Sequence, residues 1–195
     1  MFRNTLPRWA VLALLVASPI TTGATLAISD SDKQFGHSDY YGPLTPTQVF
    51  SLMQSVDALV THYATHQFPE RSAWLPTRQI TVENYRPEDV FVALSRLSDL
   101  VDQLALKHKV RPTHRIERER DLAIPAEVFL QAGECLDTLA LVMNSLSPDE
   151  VFGDFYANNS DSKKQNKTPS DVFALVDLIV RKLNTLLSEE RSTDE

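Results

Sequence analysis

Thr45-Pro-Thr-Gln-Val-Phe50 reads as the start of a helix, and it decides the fold because the chain repeats that start. Proline suits the first helical position, where its missing N–H would have had no partner. Thr45 supplies an N-cap oxygen, and Gln48, three residues on, has the spacing of a capping box. Beyond Val49 the apolar residues recur at alternating steps of four and three, as Met53, Val56, Val60 and Tyr63. That rhythm draws one continuous stripe along a helix.

The pattern Pro-x-x-Val-Phe returns at Pro87, Pro125, Pro148 and Pro169, which marks an internal repeat. Three of these returns carry the same stripe. It runs Val90, Leu94, Leu97, Val101, Leu104 in one, and Val128, Ala132, Cys135, Leu139, Val142 in the next. In the last it runs Val172, Val176, Ile179, Leu183, Leu186. Ser147 and Thr168 repeat the N-cap chemistry, whereas Arg86 and Ile124 break that rule. Asp89 and Glu127 nevertheless put a carboxylate in the positive first turn of those two copies. Leu44 with Val49, and Tyr85 with Val90, have the spacing of a hydrophobic staple. The copy at Pro148 stops early. Val151 and Phe155 hold the register, Asn158 ends it, and a short helix followed by a polar loop is expected there.

Four helices of about 20 residues, each about 30 Å long, must bury their stripes on one another. The predicted fold is therefore all-α, a four-helix bundle built from four degenerate Pro-x-x-Val-Phe helical repeats with long connectors. A short solenoid fits less well. The spacing between the prolines of the long copies drifts (41, 38 and 44 residues), and each unit holds one clear helix instead of two. The connectors take roughly 17–23 residues, where bundle loops usually take about 2–8. Loops of that length can cross a whole helix, so the helix directions stay open.

Residues 1–27 read as a signal peptide. Arg3 and Arg8 flank the apolar run Trp9–Ala17, Pro19 interrupts it, and small residues around Gly23, Ala24 and Ala27 offer cleavage sites. The run is shorter than the about 20 residues a bilayer core requires, so no stable membrane span is expected after cleavage. Residues 28–195 then form a single α-helical bundle domain in a periplasmic or secreted protein. Losing Arg3 and Arg8 takes the net charge from −7 to −9, which argues against nucleic acid as a partner. Cys135 is the only cysteine, so the core must hold the fold without an intrachain disulfide. Its place on a stripe predicts a small buried hydrophobe.

The connectors carry the candidate partner-binding residues. The first holds Phe68, Trp74, Leu75, Ile80, Val82 and Tyr85, which reads either as cover for the core or as a binding surface centred on Trp74 and Tyr85. The second, 107–121, is the basic patch of an acidic chain, with Arg111, Arg115 and Arg118 as candidate contacts to an acidic partner. Glu117, Glu119 and Asp121 offset part of that charge and favour an ion-paired, solvated segment over a docking site. His62 and His66, four apart on one helix face, are the candidate metal ligands. The residue after His62 is Tyr63, without the glutamate that zinc hydrolases place there.

Enzyme signatures are missing. The chain has no Gly-x-Ser-x-Gly elbow, phosphate-cradling glycine loop or Cys-x-x-Cys pair, and no cofactor is implied. The function expected is that of an exported, non-enzymatic helical protein acting through protein–protein interaction in the cell envelope, as an accessory, scaffold or sensor-type module. The alternative is a small-ligand or metal-ion binding bundle using His62 and His66.

Overall fold

The computed structural model describes residues 44–116, 122–148 and 166–188. They form five helices and, among the described residues, no strand: α1 Pro46–Gln67, α2 Pro69–Ser72, α3 Pro87–Lys107, α4 Pro125–Leu146 and α5 Pro169–Ser188. The segment 1–27 expected to be a signal peptide, the short helix expected beyond Pro148, and Arg118 lie outside the described residues. No helix among the described residues is long and apolar enough to cross a membrane.

All four long helices begin at the repeated proline, and they share one capping bond. The side chain at the third helical position reaches back to the backbone N–H of the residue before the proline. Thr45 N donates to Gln48 at 2.7 Å, Arg86 N to Asp89 at 2.8 Å, Ile124 N to Glu127 at 2.9 Å and Thr168 N to Asp171 at 2.8 Å. Arg86 and Ile124 have no side-chain acceptor to offer, so α3 and α4 keep only this half of the box. In α5 the other half forms too, with Asp171 N donating to Thr168 Oγ1 at 3.3 Å. The Thr168 N–H also holds the Asp171 carboxyl below its usual range, because it bonds the charged form.

The end of α3 is equally specific. Val110 N donates to Ala105 O at 3.0 Å and Lys109 N to Leu106 O at 3.1 Å, the paired bonds of a Schellman motif. Lys109 takes the left-handed position at φ 57°, where glycine would be at ease.

The stripes meet in the core. All twenty positions are at most 3% exposed, which fixes the register read from the spacing. Burying each Val, Leu or Ile in this way is worth about 1.5–3 kcal/mol before conformational entropy is counted. α1 packs on α4 and α5, and α3 packs on the same two, while α1 and α3 are not neighbours. The four starts come together: Pro46, Val49, Pro87, Val90, Pro125, Val128, Pro169 and Val172 line one void of about 20 Å³. The long helices therefore run in the same direction.

This arrangement accounts for the length of the first two connectors, whose described parts travel back along a helix. The first runs antiparallel to α5, meeting Leu186 at Trp74, Arg181 at Arg78 and Phe173 at Tyr85. The second does the same along α3. Thr113 N and Oγ1 donate to Asp102 at 2.7 Å, Arg115 bonds Asp99 and Asp102, and Ala123 N donates to Glu88.

Candidate functional site

The first connector presents the most exposed large apolar side chain among the described residues. Phe68 closes α1, and Pro69 behind it starts the single turn α2. Trp74 N donates to Arg71 O at 2.9 Å, which extends the turn. Leu75 is then buried against the core, and its neighbour Trp74 is left pointing outward, 82% exposed. Beside the indole lies a surface pocket of about 240 Å³ lined by Arg71, Trp74, Thr185 and Leu186.

Behind the pocket wall, Phe68 organises two cations. The Arg71 guanidinium stands 5.6 Å and the Lys107 ammonium 5.5 Å from its ring centroid. Tyr63 meets the edge of Phe68 at 6.1 Å, and its hydroxyl bonds His108 Nε2 at 3.0 Å. The apolar content of a long connector singled out Trp74, and Lys107 was read only as part of the basic patch; its place beside Arg71 on the Phe68 ring gave no signal, because the two cations come together only when the ends of α1 and α3 share one pole.

The other candidate residues lie apart from this pocket. Tyr85 is half-buried, stacked on Phe173 with centroids 4.0 Å apart, and its N–H donates to Ser170 Oγ at 3.1 Å. Arg115 is engaged within the chain: Nη1 donates to Ser95 O at 3.3 Å and Nη2 to Asp99 at 2.9 Å and to Asp102. Arg111 is exposed. His62 and His66 stack one helical turn apart, ring centroids 5.2 Å from each other. No group of three or more His, Cys, Asp or Glu among the described residues is placed to hold a metal ion.

Buried polar chemistry sits elsewhere. Ser98 Oγ donates to Leu94 O at 2.9 Å, accepts from Gln131 Nε2 at 2.8 Å and lies 3.2 Å from Cys135 Sγ. The remaining end of the Gln131 amide accepts from Ile116 N at 3.1 Å, so this network ties the second connector to α3 and α4. Burial pushes the Cys135 thiol up to about 12, which keeps it protonated and unreactive at neutral pH. Between α1 and α5, Lys182, 6% exposed, donates to Asp57 at 2.7 Å and to Thr61 Oγ1 at 3.0 Å.

The chain matches no protein-family model, no curated protein and no solved structure.

Proposed function

We propose that this chain is an exported, non-enzymatic helical module of the cell envelope that acts through protein–protein contact. Its four long helices form a parallel four-helix bundle built from degenerate copies of one helix-start unit. The shared capping bond and the coincident buried stripes support that reading of the repeat. The bundle is the scaffold, and the connectors carry the contacts.

One observation supports the interaction reading most directly. An 82% exposed tryptophan beside a pocket holds a large apolar surface in water, which is unfavourable unless a partner covers it. Arg111 and Arg115 are candidate contacts of the second connector, which Arg115 fastens to α3 through Asp99 and Asp102. The test is capture of partners by residues 28–195 from the cell envelope, in wild type and Trp74→Ala. A stoichiometric partner lost in the variant is the expected result. A partner retained equally by both would remove Trp74 from the site, and no partner at all would refute the interaction reading.

The histidine pair favours a second reading. Two imidazoles 5.2 Å apart on successive turns can share a metal, leaving the rest of a tetrahedral shell to water or another ligand. Zinc or copper should then raise the melting temperature of wild type and leave His62→Ala/His66→Ala unchanged. Equal response in both proteins would dismiss the pair.

A further inference from the structure

The second connector is held to the bundle by other means than the helices it lies on. Backbone-to-backbone bonding ends at Val110, whose N–H meets Ala105 O at 3.0 Å, and among the described residues none follows until Ile124 accepts the first bonds of α4. Across 110–116 only Thr113 is buried, at 7% exposure; Val110 and Ile116 are half-buried and the rest are exposed. Little apolar surface is at stake in this stretch, and side-chain hydrogen bonds fasten it.

Those bonds alternate between two helices. Thr113 N and Oγ1 both donate to Asp102 Oδ1 on α3 at 2.7 Å. His114 N donates to Glu134 on α4 at 3.1 Å. Arg115 returns to α3, giving Nη2 to Asp102 Oδ2 and to Asp99 at 2.9 Å, and Nη1 to Ser95 O at 3.3 Å. Ile116 N goes back to α4 and donates to Gln131 Oε1 at 3.1 Å. Four consecutive residues thus stitch the α3–α4 seam, so the backbone cannot lift from one helix and keep its bonds to the other. Asp102 is the node, for its two oxygens accept three of these bonds, one of them from a guanidinium.

Water replaces such bonds at small net cost, whereas exposing the stripes beneath, where every position is at most 3% exposed, is costly. Opening of this stretch therefore lies well below global unfolding. Two fixtures that do not involve Asp102 keep its ends in place. One is the Val110–Ala105 bond with Lys109 in the left-handed position; the other is the Ala123 N–H on Glu88, with Ala123 itself buried.

We propose that residues 110–116 form a strap that opens as one unit on the intact bundle, with the Asp102 carboxylate as its latch. Opening frees Arg115, which the closed strap keeps engaged with Ser95, Asp99 and Asp102, and lets water reach the Gln131 amide at the edge of the buried Ser98 network. The strap stands on these bonds and not on the interaction reading; to that reading it adds the condition under which Arg115 becomes available to a partner.

Amide hydrogen exchange of the full chain, resolved by NMR, is the test, because the N–H groups of Thr113, His114 and Ile116 are themselves the stitches. In wild type the three should share one opening constant, at least about a hundredfold above that of stripe residues such as Leu97 and Leu139, and insensitive to low urea. Asp102→Asn keeps the shape of the latch and removes its charge. It should speed all three amides by a common factor of at least about ten, including Ile116, whose acceptor is on α4. Arg115→Gln, at an exposed residue, should also speed the three together. Acceleration of Thr113 alone in Asp102→Asn, with His114 and Ile116 left at their wild-type rates, would overturn the proposal, for the bonds would then break independently. So would three amides that share the opening constant and urea slope of Leu97 and Leu139, because the strap would then open only with the whole bundle.

Discussion

Replacing Cys135 by alanine should cost stability at neutral pH and cost progressively less in alkali. In the native chain the thiol sits wholly buried on the α4 stripe, and burial moves its ionisation from 9.0 to about 12. Between those two values the unfolded chain has lost a proton that the folded chain keeps. A raised folded value contributes stability that is complete below pH 9.0 and is lost as pH climbs through the folded value. The slope is about 1.4 kcal/mol per pH unit, so wild type forfeits about 2 kcal/mol by pH 10.5 through this one group. Alanine cannot ionise. Its own penalty, a small cavity and a lost sulfur contact, is about 1–2 kcal/mol and does not depend on pH. Ser98 keeps its bonds to Leu94 and Gln131 in the variant, so no buried polar group is orphaned. Urea unfolding of wild type and Cys135→Ala from pH 7 to 10.5 should therefore show the gap between them closing and reaching about zero or reversing. Tyrosines and lysines titrate in both proteins and cancel in the difference. A gap that stays constant over that range would refute the reasoning, for it would mean that the folded chain ionises this thiol as easily as the unfolded one.

Asp57→Ala should lower stability by about 3 kcal/mol because it strands the Lys182 ammonium in the core. The double variant Asp57→Ala/Lys182→Met should recover most of the loss in chemical denaturation, and failure to recover would mean that the aspartate acts by packing. Lys109→Gly should raise stability by about 1 kcal/mol by relieving a left-handed residue, visible as a higher urea midpoint, and a lower midpoint would contradict the Schellman geometry. Asp171→Ala should cost about 1 kcal/mol at pH 7 through loss of the reach-back cap. That cost should vanish as pH falls below 3.8, because a lowered folded value gives stability present above the unfolded value and lost in acid; an unchanged cost at pH 2.5 would exclude the cap as its cause. Leu97→Asp should prevent folding or lower the melting temperature sharply, since it buries an unpaired carboxylate, and a mild effect would mean the stripe is misplaced.

The helices were legible because each is announced twice, by a proline start and by a stripe with a fixed step. The pole-to-pole geometry was not. Helix direction is carried by which starts meet, and Pro46, Pro87, Pro125 and Pro169 meet only in three dimensions. The connectors contained half of the answer, since Leu75 and Thr113 are buried and the links therefore lie on the helices instead of looping away. Trp74 was legible as an unusual residue, whereas the Arg71–Phe68–Lys107 stack was not, for its cations come from two different helix ends.

One buried polar site did leave a trace in the repeat. Ten residues after the stripe's first valine the copies carry Leu59, Leu100, Thr138 and Lys182. Two leucines at equivalent places imply a position facing the core, so the lysine in the last copy sits where an apolar side chain belongs. Eight residues after the valine, Asp57 occupies a place where its counterparts are Ser98, Leu136 and Val180. Each residue is anomalous against its own row, and the two anomalies answer each other at 2.7 Å across α1 and α5. Removing one partner would leave the other stranded, so the two departures from the pattern depend on each other. A repeated sequence pattern thus supplies a comparison that an unpatterned chain lacks: a residue out of step with its counterparts indicates where the core has exchanged apolar packing for a specific pair, an ion pair at the α1–α5 contact where the α3–α4 contact holds the neutral Ser98–Gln131 bond.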